Sequence, residues 1–178
     1  MRYRDFKWLF SIILLFFYIL SFSETKSNFE LGAQFLENGN IEQAEKIFLE
    51  LYEKNQQDCM ILNNLGVVFF MKKDYTKAYN YFEKAIKINP DYSNAYYNAG
   101  LVLFIRKMWP ELSEFASVAI KRFPKQRKEL ELLISYSYYR LRRFQEGADI
   151  FINIKKDELS KEYWKLFDWV EKKYKILG

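Results

Sequence analysis

Histidine is absent from this sequence and Cys59 is its only cysteine. Metal sites built on His or Cys, Ser-His and Cys-His nucleophilic pairs and internal disulfides therefore lack the residues they need. Cys59 precedes Met60 and Ile61 at the start of an apolar run, where a free cysteine acts as a small buried hydrophobe. Glu42, Glu45 and Glu50, or Asp157 and Glu158, are close enough in sequence to be read as acid–base pairs. Surface charge on helices accounts for them better, since general acid–base catalysis needs a pocket that no pattern here supplies. No catalytic, metal-binding or cofactor-binding residue is expected, and the chain reads as a non-enzyme.

Two basic clusters stand out: Lys121, Arg122, Lys125, Arg127 and Lys128, and then Arg140, Arg142 and Arg143. Such runs are ordinarily a solvated face, the alternative being contact with an anionic membrane surface or an acidic partner. The net charge of +5 is modest, and part of it lies in Arg2, Arg4 and Lys7. That balance does not point to nucleic acid.

The elements that must carry these residues are helical. Half the residues are apolar and a fifth aromatic, with three prolines and six glycines, a balance that suits helices better than a many-turned sheet. Residues 1–23 are set apart. A basic start is followed by Trp8 to Phe22, fifteen residues without a charge. This has the form of a secretory signal core and falls short of the roughly 20 residues that span a bilayer comfortably. Ser21 and Ser23 are small residues at the −3 and −1 positions of a cut before Glu24. Export to the periplasm or another extracytoplasmic space is expected, with cleavage left open; if uncleaved, residues 8–22 anchor the chain in the membrane.

Beyond this segment the sequence repeats. Gly32, Gly66 and Gly100 are spaced by 34, and on the same ruler Leu31 aligns with Leu65 and Ala99, Phe35 with Phe69 and Leu103, Ala44 with Ala78, Phe48 with Phe82, and Pro90 with Pro124. Each unit reads as a helical hairpin. In 59–92, Leu62, Leu65, Gly66 and Phe69 form the apolar face of a first helix, Lys72-Lys73-Asp74 interrupts it, and Tyr75, Ala78, Phe82, Ala85 and Ile86 form the inner stripe of a second helix that stops before Pro90. Asn40 and Asp74 stand where they can cap the second helices. Gly66 and Ala78 are small where the two helices cross.

This set resembles the tetratricopeptide repeat family, whose pattern places Leu-Gly, an aromatic, and later Ala, Phe and Pro at fixed offsets. The match is fullest in 59–92, good in 25–58 and 93–126, and degenerate in a fourth unit fitted one residue late, 128–161, with Ile134, Ser135, Tyr138, Gly147, Phe151 and Ile154 in the equivalent places. Ser160 can cap a closing helix over 162–178, with Trp164, Phe167 and Val170 on one face. The resemblance implies an all-α, right-handed superhelical solenoid of antiparallel helix pairs with a C-terminal capping helix.

It also implies a concave groove lined by the first helix of each unit. The family's groove positions fall on Asn63, Val67, Phe70 and Met71, with Met60; on Tyr97, Leu101, Phe104 and Ile105, with Asn94; and on Tyr136 and Tyr139, with Leu132 and Arg140. The lining is apolar and aromatic. Phe29 and Ala33 stand where the family's carboxylate-binding Lys and Asn would be, so an apolar peptide or amphipathic helix of another protein is the expected partner. The alternative occupants are the closing segment and a second protomer. The function implied is a non-catalytic interaction scaffold of the cell envelope, acting in assembly of a protein complex. A membrane-tethered structural subunit working through oligomer contacts is the alternative.

Overall fold

The computed structural model describes residue 19 and residues 23–123, 127–159 and 161–177. Of the export segment 1–23, only Ile19 and Ser23 fall within these; Pro124, Lys125 and Ser160 also lie outside the described residues. Among the described residues there is no strand. The helices are α1 (23–37), α2 (Ile41–Lys54), α3 (Cys59–Met71), α4 (Tyr75–Ile88), α5 (Ser93–Ile105), α6 (Trp109–Arg122), α7 (Arg127–Arg140), α8 (Phe144–Phe151) and α9 (Trp164–Leu177), with single 3-10 turns at Lys156–Glu158 and Lys161–Tyr163. None of these helices is long and apolar enough to cross a membrane.

The odd-numbered helices α1, α3, α5 and α7 end in the same way. Gly39, Lys73, Lys107 and Arg142 adopt left-handed backbone, with φ of 74°, 63°, 59° and 61°. In each case the N–H of the left-handed residue donates three residues back, as from Lys73 to Phe70 O (2.9 Å), and the next N–H donates five residues back, as from Asp74 to Phe69 O (2.9 Å). This double bond satisfies carbonyls that a helix end would otherwise leave bare. The chain reverses within three residues, which makes the flanking helices antiparallel neighbours. Three of these four positions are not glycine, so the turn chemistry is carried by the hydrogen bonds rather than by conformational freedom.

The helix starts are less uniform. Asp74 accepts from Lys77 N at 3.1 Å, and Asp58, which the sequence pattern did not single out, accepts from Met60 N (2.8 Å) and Ile61 N (3.2 Å) to cap α3. Asn40 precedes α2 but makes no side-chain capping bond; only its carbonyl is used, by Ala44 N. Cys59 is half-buried at the first position of α3 rather than enclosed.

The chain divides into two compact units, Met1–Tyr81 and Phe82–Gly178. In the first, Ala44, Phe48 and Leu51 of α2 pack with Ile61, Leu65 and Val68 of α3, and Phe29, Phe35 and Leu36 of α1 close over them. Phe48 is fully buried, and burial of such a side chain stabilises by about 2–3 kcal/mol. Its ring lies against Gly32, where an added Cβ would stand 3.0 Å from it. The glycine thus lets α1 approach α2 closely, which offsets the ~1 kcal/mol it costs in helix propensity. Phe29 lies edge-on to Phe48 with ring centroids 5.6 Å apart, so it serves the core.

In the second unit Tyr96, Ala116, Ala119, Leu130 and Ile134 form the centre, with Ile86, Phe115, Phe123, Tyr138 and Ile150 packed around it. The small residues of α6 let α5 and α7 both pack against it. Helix α8 is short and ends at Phe151. Two 3-10 turns then lead to α9, which packs on α7 and α8. Phe167 and Val170 are buried on its inner side, whereas Trp164, expected on the same face, is 38% exposed. Trp164 is held at the edge instead, its Nε1 donating to Leu159 O at 3.3 Å.

Candidate protein-binding cleft

Tyr97, Leu101 and Phe104 lie on one face of α5 by their spacing, and Leu133 and Tyr136 join them from α7. Opposite stand Tyr163 from the 3-10 turn and Lys165, Leu166 and Trp169 from α9. Together they line a cleft of about 550 Å³. Its aromatic rings touch in sequence: Tyr97 to Tyr163 at 6.1 Å, Phe104 to Tyr136 at 5.0 Å and Tyr136 to Trp169 at 5.1 Å between centroids. Trp109 extends the chain, 5.7 Å from Phe104 and 5.3 Å from Tyr136.

The charge at the rim is positive. Lys165 is the charged lining residue. The Arg140 guanidinium lies 5.0 Å above Trp109 and donates to the Tyr136 hydroxyl at 3.1 Å, and Lys173 sits 5.4 Å over Trp169. Such stacking keeps a cation near the aromatic surface while leaving it hydrated. An apolar floor with a few polar groups at its edge, of this volume, suits capture of apolar side chains.

Helix α9 is held against the cleft by a polar contact in an otherwise apolar seam. The Tyr174 hydroxyl donates to Ser135 O (2.8 Å), and the Ser135 hydroxyl donates to Gly147 O (2.8 Å) while lying 3.4 Å from the Tyr174 hydroxyl. Gly147 leaves the room this contact occupies, because an added Cβ would lie 1.8 Å from the Tyr174 oxygen and 3.0 Å from Ser135 O. Burial raises the Tyr174 phenol above its usual pKa, the hydrogen bond with Ser135 acting in the opposite direction. The phenol therefore stays neutral and satisfied between α7 and α8.

Tyr97, Leu101, Phe104 and Tyr136, four of the positions expected to line a groove, thus come together in one cleft. Tyr139 does not line the cleft; it is held between Trp169 (5.2 Å), Phe144 (5.4 Å) and Tyr174 (6.0 Å). Ile105 is 40% exposed at the end of α5 and Leu132 is fully buried, both away from the lining. In the first unit Asn63 is buried, Val67 and Phe70 are half-buried, with Phe70 edge-on to Tyr75 at 5.7 Å, and Met60 and Met71 are exposed. The closing segment, read from the sequence as an alternative occupant of the groove, supplies this wall through Tyr163, Lys165, Leu166 and Trp169, residues the sequence reading did not name as lining. Its signal was present: Leu166 and Trp169 follow Tyr163 at spacings of three, beside the Phe167–Val170 stripe.

Two of the five carboxylates read as acid–base candidates are engaged in ion pairs at the surface. Glu45 pairs with Lys72 at 2.5 Å, which raises the Lys72 pKa, and Glu158 pairs with Lys128 at 3.7 Å. Arg122 of the first basic cluster is paired with Asp91 at 2.9 Å.

Antiparallel pairs closed by identical turns and offering their first helices to a cleft define a helical-repeat interaction protein. Residues 60–92 and 81–111 each match a family model of the tetratricopeptide repeat. Residues 60–111 thus carry tetratricopeptide repeats, the mark of a protein–protein interaction scaffold, within an all-α fold of antiparallel helix pairs. It is 26% identical over 126 residues to the anaphase-promoting complex subunit CDC16 of Saccharomyces cerevisiae, covering 67% of this chain and 15% of that protein. It is 34% identical over 55 residues to the photosystem I assembly protein Ycf3 of Acaryochloris marina, covering 31% of this chain and 33% of that one. The chain therefore matches only a third or less of the length of either relative. Among solved structures, the TPR2B domain of yeast Sti1 in its pHsp70 complex has a TM-score of 0.61 at 15% identity, covering 65% of this chain and 97% of that domain.

Proposed function

We propose that the chain is an exported scaffold of the cell envelope whose second unit holds an apolar strip of another envelope protein, in the assembly of a protein complex. The cleft between α5, α7 and α9 carries this reading: it gathers four of the groove positions of the repeat into one aromatic pocket of about 550 Å³. That size admits two or three large side chains rather than a whole helix. The partner is thus an amphipathic helix or extended strip that inserts its anchors between Leu101 and Trp169. Val67, Phe70 and Met71 are the corresponding candidates in the first unit. Similarity to an assembly protein and to a complex subunit supports the role in assembly, and the basic start and apolar core of residues 1–22 support export.

A photo-crosslinking amino acid placed at Leu101 tests the reading in membrane extracts, with the same probe at Val118, 56% exposed on α6, as reference. An adduct formed from position 101 and absent from 118, and lost when Tyr97, Leu101 and Phe104 are all alanine while the helical circular-dichroism signal survives, is the expected outcome. Equal adducts from the two positions would remove the groove from the account. A mature N-terminus at Glu24 supports cleaved export.

A further inference from the structure

The turn edge of the second unit, where α5 gives way to α6 and α7 to α8, extends the positive rim of the cleft into a wider surface of cations and apolar side chains. Arg106 and Lys107 are exposed in one turn, and Arg142 and Arg143 in the other, with Arg140 on the last residue of α7. The turns are neighbours, since the Arg140 guanidinium lies 5.0 Å over Trp109, the first residue of α6. The row continues through Tyr136 to Trp169, over which Lys173 sits at 5.4 Å. Exposed apolar side chains are interleaved with these cations: Ile105 is 40% exposed, Phe144 37% and Trp169 37%. Against six cations stand Glu146, ion-paired with Arg143, and Glu111 in the first turn of α6. Among the described residues Arg106, Lys107, Arg140, Arg142 and Lys173 take part in none of the ion pairs.

We propose that this edge rests on an anionic bilayer surface, the cations in the headgroup layer and Ile105, Phe144 and Trp169 dipping into its boundary. Indole rings and long basic side chains favour that interface, because each has an apolar body and a polar or charged end. Basic residues attract anionic lipid over about a Debye length, and a second weak contact converts a single membrane attachment into a stable one. The edge shares Tyr136 and Trp169 with the lining of the cleft and Arg140 and Lys173 with its rim, whereas Ile105, Arg106, Lys107, Arg142 and Phe144 lie outside the lining, and it is on these that the inference stands apart from the peptide-binding reading. An acidic protein surface would meet the same cations. The alternation of cations with exposed tryptophan, phenylalanine and isoleucine favours lipid.

The test uses the full chain on vesicles of phosphatidylcholine alone or mixed with phosphatidylglycerol, with acetylation of each lysine followed by mass spectrometry. Comparing the two lipids isolates the edge whether or not residues 8–22 also insert. Lys107 and Lys173 should be modified at least about threefold more slowly on the anionic vesicles. Lys121, twelve residues and about 18 Å along α6 from Trp109, should be unaffected. The protection should vanish at about 0.5 M salt, where screening is short-ranged, and in the Arg106→Glu/Arg142→Glu variant. Equal rates on the two vesicles, equal slowing of Lys121, or persistence in the variant would overturn the proposal. So would protection by soluble polyglutamate with none by vesicles, which would assign the edge to an acidic protein.

Discussion

The two units use a helical glycine in opposite ways. In the first, Gly32 lets Phe48 of the neighbouring helix press to within 3.0 Å of where a Cβ would be, and the result is a dry seam between α1 and α2. In the second, Gly147 leaves room for a polar atom from a third helix, the Tyr174 hydroxyl. Gly100, at the repeat position of Gly32, has its nearest described side-chain neighbour at 3.9 Å and is tight against nothing. One residue type therefore serves close helix approach, insertion of a polar anchor, or no packing purpose at all. The repeat period alone does not distinguish these; the third element arriving at the site does.

Substitution to alanine separates the three cases. Gly147→Ala should have the largest effect, a loss of about 3 kcal/mol from overpacking and the broken Tyr174–Ser135 contact. It should appear as a lower urea midpoint, with altered tryptophan fluorescence as α9 shifts. Smaller changes of opposite sign are expected at the repeat position. Gly32→Ala should cost about 1 kcal/mol because Phe48 must move, whereas Gly100→Ala should stabilise by about 0.5–1 kcal/mol through helix propensity. Thermal unfolding of the two variants side by side checks the signs, and a shared sign would mean the seams are equally tight.

The smallest effect is a pH dependence. Because burial raises the Tyr174 pKa above 10.0, the folded chain keeps a proton that the unfolded chain releases. The stability this provides is complete below pH 10 and is lost as pH rises through the folded value. Tyr81, also raised by burial, contributes with the same sign in the first unit. Urea midpoints above pH 10 should therefore fall less steeply in Tyr174→Phe than in the parent chain, without becoming flat.

Much of the fold was legible because its signals are local. The 34-residue period, the polar breaks at Lys72-Lys73-Asp74 and the inner stripes such as Ala78, Phe82 and Ala85 all report contacts between adjacent helices, and the three alanine and phenylalanine positions are indeed buried. The cleft was legible on one side only. Tyr97, Leu101, Phe104 and Tyr136 follow from repeat offsets, but Tyr163, Leu166 and Trp169 belong to a segment outside the repeat, whose docking depends on the non-local fit of Tyr174 under Gly147. Asn40 shows the limit in miniature: the residue type suits a cap, yet whether its side chain turns inward depends on a backbone angle that the sequence does not state.

The left-handed turns have a consequence for anyone reshaping this chain. Glycine fits that backbone without cost, and the first turn has it at Gly39, but the later three place Lys73, Lys107 and Arg142 there, each bearing roughly 1–2 kcal/mol of steric penalty. Replacing all three by glycine would relax the backbone and at the same time strip the turns of three cations. Thermal robustness and surface charge compete for the same three positions, and the natural sequence has settled the contest in favour of charge.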